Sequence, residues 1–210
     1  MIDLDRYYQL IKECPQHFIN NNEFLTIITD QNIIEDYICQ HHVPIGVVYE
    51  SHYHIFVVDL VKDQNNHYFT YDRIICENNG VLVITIYQNK YILLKQYRHA
   101  LRNYQYSFLR GFGEEGTSSM NNALKEVREE INGNIIKIKQ LPSIIADSGL
   151  TGNNVDVYVA DVDSFELKSG CEGIKSILLV DEKELKEYIQ KGLINDAMSL
   201  AAITLYWNNK

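Results

Sequence analysis

The chain has 210 residues, 28 of them acidic against 19 Lys and Arg, for a formal net charge of −9. Its 46% hydrophobic and 22% charged content is that of a soluble globular protein, long enough to build a core without disulfide staples. The acidic balance disfavours a nonspecific nucleic-acid binder and a basic membrane-surface protein, which both work through positive patches. It leaves open a phosphate-bearing small molecule, provided a metal ion stands between the acids and the substrate. The four cysteines, at 14, 39, 76 and 171, form no C-x-x-C pair, and their scatter fits a reducing, cytoplasmic setting. The opening MIDLDRYYQLIKE has no apolar core, unlike a signal peptide, and the longest apolar runs fall short of the ~18–20 residues of a membrane helix.

In chain order, Leu4, Tyr7, Tyr8 and Ile11 recur at helical spacing before Pro15 interrupts. Asp30 is placed to cap a second helix with Ile33, Ile34, Tyr37 and Ile38 as its buried stripe. From Ile45 the pattern becomes β-rich, in runs IGVVYE, HIFVVDLVK and HYFTYDRIIC separated by turn signals. Asn78-Asn79-Gly80 punctuates the chain, and the expected division is an α+β appendage over 1–76 and an α/β core over 77–210. The core reads as strand GVLVITIY, turn Gln88-Asn89-Lys90, strand YILLKQYR and glycine-rich loop RGFGEEG. A helix over Ser119 to Ile131 follows, then several strands, then helices near 181–191 and 195–207.

The helix MNNALKEVREEI carries acids that no fold needs. At ~100° per residue, Met120, Ala123, Leu124, Val127 and Ile131 form one core stripe. Glu126, Glu129 and Glu130 converge on a separate sector, with Lys125 and Arg128 pointing mostly elsewhere. Like charges at i, i+4 cost a few tenths of a kcal/mol, so the cluster has no evident stabilising role. Hard oxygens at helical spacing suit Mg²⁺ or Mn²⁺, and the preceding glycines let backbone approach a cation or phosphate.

These residues resemble the Nudix hydrolases, whose signature is G-x5-E-x7-R-E-U-x-E-E-x-G-U with U aliphatic. Gly111 matches the first glycine, Glu126 the first helix acid, Val127 the aliphatic position, and Glu129 and Glu130 the acid pair. Gly111, Glu114 and Gly116 match the common G-x-x-E-x-G extension. Thr117 stands where the signature has glutamate, Lys125 where it has arginine, and Asn132 where it has glycine. The flanks resemble the ADP-ribose and nucleotide-sugar pyrophosphatase branch: Gln96-Tyr97-Arg98 ends a strand, Arg110 to Glu114 follow its loop pattern, and Glu172 and Ile174 match a late E-x-I. Ser107 and Leu109 replace that branch's glutamate and proline.

The resemblance implies a Nudix-type α/β/α sandwich with a mixed sheet plus the N-terminal appendage. It implies metal-dependent hydrolysis of the diphosphate linkage of ADP-ribose or a related nucleoside diphosphate sugar, with Mg²⁺ or Mn²⁺ as cofactor and a homodimer as the assembly. By the same resemblance, Glu126, Glu129, Glu130 and the Arg110 carbonyl hold metal. Arg98, Arg73 and Glu114 face the substrate, and Glu172 or Glu129 serves as catalytic group. Other nucleoside diphosphate derivatives as substrates, or a non-catalytic nucleotide-binding module, are the alternatives. A reading as an NADH-preferring enzyme lacks the four-cysteine zinc module that such enzymes commonly carry.

Overall fold

A computed structural model of the chain describes residues 2–76, 78–167 and 173–209. They divide into two compact units, Met1–Glu77 with Asp147–Gly152, and Asn78–Ala146 with Asn153–Lys210.

In the first unit, helix α1 (Leu4–Glu13) starts at Asp3, whose side chain accepts from the Arg6 amide at 2.8 Å. Helix α2 (Gln31–His41) is capped by Asp30, which accepts from the Asn32 and Ile33 amides. The two pack on an antiparallel sheet of β1 (Leu25–Ile27), β2 (Gly46–Glu50), β3 (Ile55–Asp63) and β4 (Tyr68–Ile75). Strand β3 is central, with β1 and β2 sharing one of its edges and β4 on the other. Tyr7, Leu10, Ile34, Val57 and Leu60 lie in its core. Ile33 departs from the expected α2 stripe: it is 41% exposed, because Ile34 takes the inward position beside it. The segment 147–152, expected in the core domain, packs here instead. The Ile74 amide donates to the Leu150 carbonyl at 2.9 Å and the Tyr71 hydroxyl to the Gly149 carbonyl at 3.1 Å.

The second unit opens with a hairpin of β5 (Gly80–Tyr87) and β6 (Lys90–Arg98). Gln88 and Asn89 at its turn both take positive φ, the geometry that matches strand twist. After Ile92 the two strands diverge. Strand β7 (Asn103–Ser107) pairs with β6, and β8 (Leu109–Gly111) pairs with β5, so one continuous stretch changes partner at Phe108. These two strands were not expected, since NYQYS is polar and alternates weakly.

Helix α3 (Ser119–Ile131) follows, then β9 (Asn134–Gln140), β10 (Ile144–Ile145), β11 (Asn154–Ser164) and β12 (Ile174–Val180). Strand β11 runs parallel to β5, and every other pairing is antiparallel, so the sheet is mixed. Helices α4 (Glu182–Gln190) and α5 (Ala197–Asn208) close the chain. Helix α3 covers one sheet face through Ala123, Val127 and Ile131. Leu185 of α4 and Ala202 and Ile203 of α5 cover the other, giving an α/β/α sandwich. Among the described residues no helix is long and apolar enough to cross a membrane.

Candidate active site

Helix α3 is built to tolerate its acids. Ser118 caps it, accepting from the Asn121 amide at 3.3 Å. It ends at Asn132 in the left-handed conformation (φ 46°), with the Asn132 amide on the Arg128 carbonyl and the Gly133 amide on the Val127 carbonyl. A side chain on Gly133 would come within 2.7 Å of Val127 Cγ1, so the asparagine takes the turn and the glycine takes the packing. Val127 and Ile131 are fully buried, worth about 1.5–3 kcal/mol each. That exceeds the few tenths lost to like charges one turn apart.

The acids do not form one cluster. Glu126 and Glu130 are buried (9% and 1% exposed), whereas the Glu129 side chain is half-exposed and lies 3.7 Å from Lys125 Nζ. Lys125 also forms an ion pair with Glu114, so it lies among the acids rather than pointing away from them. That hydrogen bond, with Glu129 and Glu126 nearby, holds its ammonium above the usual lysine value. Among the described residues no three His, Cys, Asp or Glu side chains assemble a metal cage.

The loop before α3 explains its glycines. The Glu126 carboxylate sits against the bare Cα of Gly111: a Cβ there would collide with Oε1 and the carboxyl carbon. A side chain on Gly113 would strike the Asn79 carbonyl. The Arg110 carbonyl belongs to the peptide that leads into Gly111. Two buried carboxylates one turn apart, one of them packed against the glycine that follows the Arg110 carbonyl, make a partial hard-oxygen set, and Mg²⁺ commonly takes only one or two carboxylates and fills its octahedron with water and phosphate oxygens. The donor chemistry fits such an ion.

The arginines go to separate places. Arg98 Nη2 donates to the buried Ser107 hydroxyl at 3.2 Å. Arg110 Nη1 pairs with Asp196 Oδ1 at 3.0 Å. Both line a cavity of about 400 Å³ with His99, Gln105, Asn195 and Ala197 at the start of α5. Arg73 belongs to the first unit, where it pairs with the buried Asp59 at 2.5 Å and lies over the Phe18 ring. Asp59 also accepts from Tyr7 at 2.5 Å. Glu172, the expected base, lies outside the described residues.

The sequence matches no family model and no curated protein. A solved structure titled as that of an ADP compounds hydrolase does match, with a TM-score of 0.68 at 17% identity, over 78% of this chain and 89% of that one. The chain has a Nudix-like fold. On this Nudix-like scaffold the loop and α3 bring Gly111 and Glu126 together, with Glu130 buried one turn further along the helix. Arg98 and Arg110 meet at the cavity, and Glu114 and Glu129 share Lys125 at the surface.

Sequence reasoning missed three participants. Asp196 and Ser199 tie α5 to β8, a link foreshadowed by the D-x-x-S pattern ahead of an apolar helix. Asn122 is 3% exposed and continues the Glu126 and Glu130 column one turn toward the helix start. Its Oδ1 has no hydrogen-bond partner among the described residues. The i, i+4, i+8 spacing of polar residues was the available signal.

Proposed function

We propose that the protein hydrolyses the diphosphate linkage of ADP-ribose or a related nucleoside diphosphate sugar, using Mg²⁺ or Mn²⁺. The observation that carries this is the pair of buried carboxylates, Glu126 and Glu130, with Glu126 held against the bare Cα of Gly111. Glu126, Glu130 and the Arg110 carbonyl would hold the ion, which when bound supplies positive charge to diphosphate oxygens and activates water. Arg98 offers a planar fork to a phosphate oxygen at the cavity. Water oxygen bonds to one phosphorus, the bridging P–O bond breaks, and the water proton passes to a base. The products are a nucleoside monophosphate and a sugar phosphate. Glu172 is the assigned base by its place in the sequence.

A second reading, nucleotide binding without hydrolysis, is favoured by Glu129, which is half-exposed beside Lys125 rather than gathered with Glu126 and Glu130. A coupled phosphate-release screen over ADP-ribose, sugar nucleotides, dinucleotide polyphosphates and NADH separates the two. Turnover of ADP-ribose that requires Mg²⁺ or Mn²⁺ is the expected result. Binding without turnover of any of them supports the second reading and sinks the first.

A further inference from the structure

We infer that Asp196, together with Ser199, is a positioning residue for the Glu126 cradle, acting through Phe108 and Arg110. The inference rests on the reading of Glu126 and Glu130 as metal ligands.

The chain of contacts starts where the strand changes partner. Phe108 stands between the β7 ladder with β6 and the β8 ladder with β5, and its amide donates to Ser199 Oγ at 3.2 Å. Ser199 Oγ in turn donates to Asp196 Oδ2 at 2.7 Å, and the Ser199 amide donates to the same oxygen at 2.9 Å. Capping α5 requires only that amide bond, which Ser, Thr or Asn at 196 would also supply. The other carboxylate oxygen does something a cap does not: it holds Arg110 Nη1 at 3.0 Å, with both side chains largely buried.

Strand β8 needs such an anchor. Only three register pairs bind it to β5, Leu109 with Val83, Arg110 with Leu82 and Gly111 with Val81. Successive strand residues point to opposite faces. Fixing the Arg110 side chain on the α5 face therefore sets the roll of the strand, and with it how Gly111 presents its bare Cα to Glu126 on the α3 face. Helix α5 thus reaches the acid cradle through one turn of hydrogen bonds and one strand.

The test uses the full chain and Mn²⁺, with free ion counted by electron paramagnetic resonance and exchange of the 107–116 amides followed by mass spectrometry. Asp196→Asn keeps a capping oxygen and loses the charge for Arg110. The expected result is a Kd for Mn²⁺ raised at least ~10-fold, in line with the loss of groups that orient metal ligands. Exchange over 107–116 should quicken, with far-ultraviolet dichroism unchanged. Arg110→Met should behave alike, and the double variant should lose little more than either single one, as expected of partners in one interaction. If Asp196→Asn does not fold, Ser199→Ala carries the same test. Asp196→Asn with wild-type affinity and wild-type exchange would overturn the tether. Wild-type protein that binds no Mn²⁺ would overturn the metal reading on which it rests.

Discussion

Gly111→Ala tests the acid cradle most directly. Gly111 is not at positive φ, so alanine meets no backbone penalty there, and its smaller unfolded-state entropy favours it by about 0.4–1 kcal/mol. What alanine meets is the Glu126 carboxylate. Even the farther oxygen, Oε2, would lie 2.6 Å from the new Cβ, and ordinary contact begins at 3.4 Å. Oε1 lies closer still, so the carboxylate must retreat by more than about 1 Å, a displacement of the size that costs up to ~100-fold in a positioned site. The Kd for Mn²⁺, read by titration calorimetry, should rise about 10- to 100-fold, or about 1.4–2.8 kcal/mol. Gly111→Ala/Glu126→Asp, which shortens the acid by one methylene, should recover part of the loss. Gly116→Ala is the control: it meets nothing within 4 Å and only strains a φ of +72°, so metal affinity should hold. An unchanged Kd in Gly111→Ala would refute the placing of Glu126 in a cation site.

Three further outcomes follow from burial and charge. In a phosphate-release assay, Glu130→Gln should lower kcat at least ~100-fold, and Glu129→Gln less than ~10-fold, because Glu130 is buried and Glu129 is half-exposed beside Lys125; equal losses would show that exposure does not sort the acids. Arg73→Met strands the buried Asp59, so urea unfolding of the first unit should lose about 3 kcal/mol. A change confined to KM, with stability intact, would instead make Arg73 a substrate contact. Burial, with Arg73 nearby, holds His17 below its ordinary value of 6.5, so the unfolded chain binds the proton more readily. The stability His17 contributes is therefore full above about pH 6.5 and declines as pH falls through the lower folded value. Melting of the first unit should drop between pH 7.5 and 5.5, and His17→Gln should flatten that slope; an identical slope in the variant would dismiss His17.

Helix α3 and the β5–β6 hairpin were legible because their information is local. A helical period from Ser119 to Ile131 and two turn residues able to reach positive φ suffice to draw them. The partner change at Phe108 was not, since it depends on where β5 and β6 diverge, which no window of sequence contains. The helical wheel placed Glu126 and Glu130 on a separate sector from the core stripe but misjudged Lys125. An angle describes where a Cβ points, and four methylenes carry the ammonium back to Glu129 and across to Glu114. Arg73 resembled a phosphate ligand in sequence, yet the β3–β4 register sets it diagonal to Asp59, a relation fixed only once the hairpin pairs. The 147–152 segment joined the other unit for the same reason.

The buried acids divide by what they do for the fold. Asp59 and Asp196 are each matched to an arginine and tie distant segments together. Glu126 and Glu130 lie buried one turn apart on a single helix, a spacing that sets two hard-oxygen groups side by side. A cation bound only by the folded chain adds stability, about 2.7 kcal/mol at 100-fold excess over Kd. Scanning calorimetry should then show a metal-dependent gap between wild type and Glu130→Gln. With saturating Mn²⁺, wild type should rise by several degrees and Glu130→Gln should not follow. Parallel shifts, or none, would mean that Glu130 holds no metal.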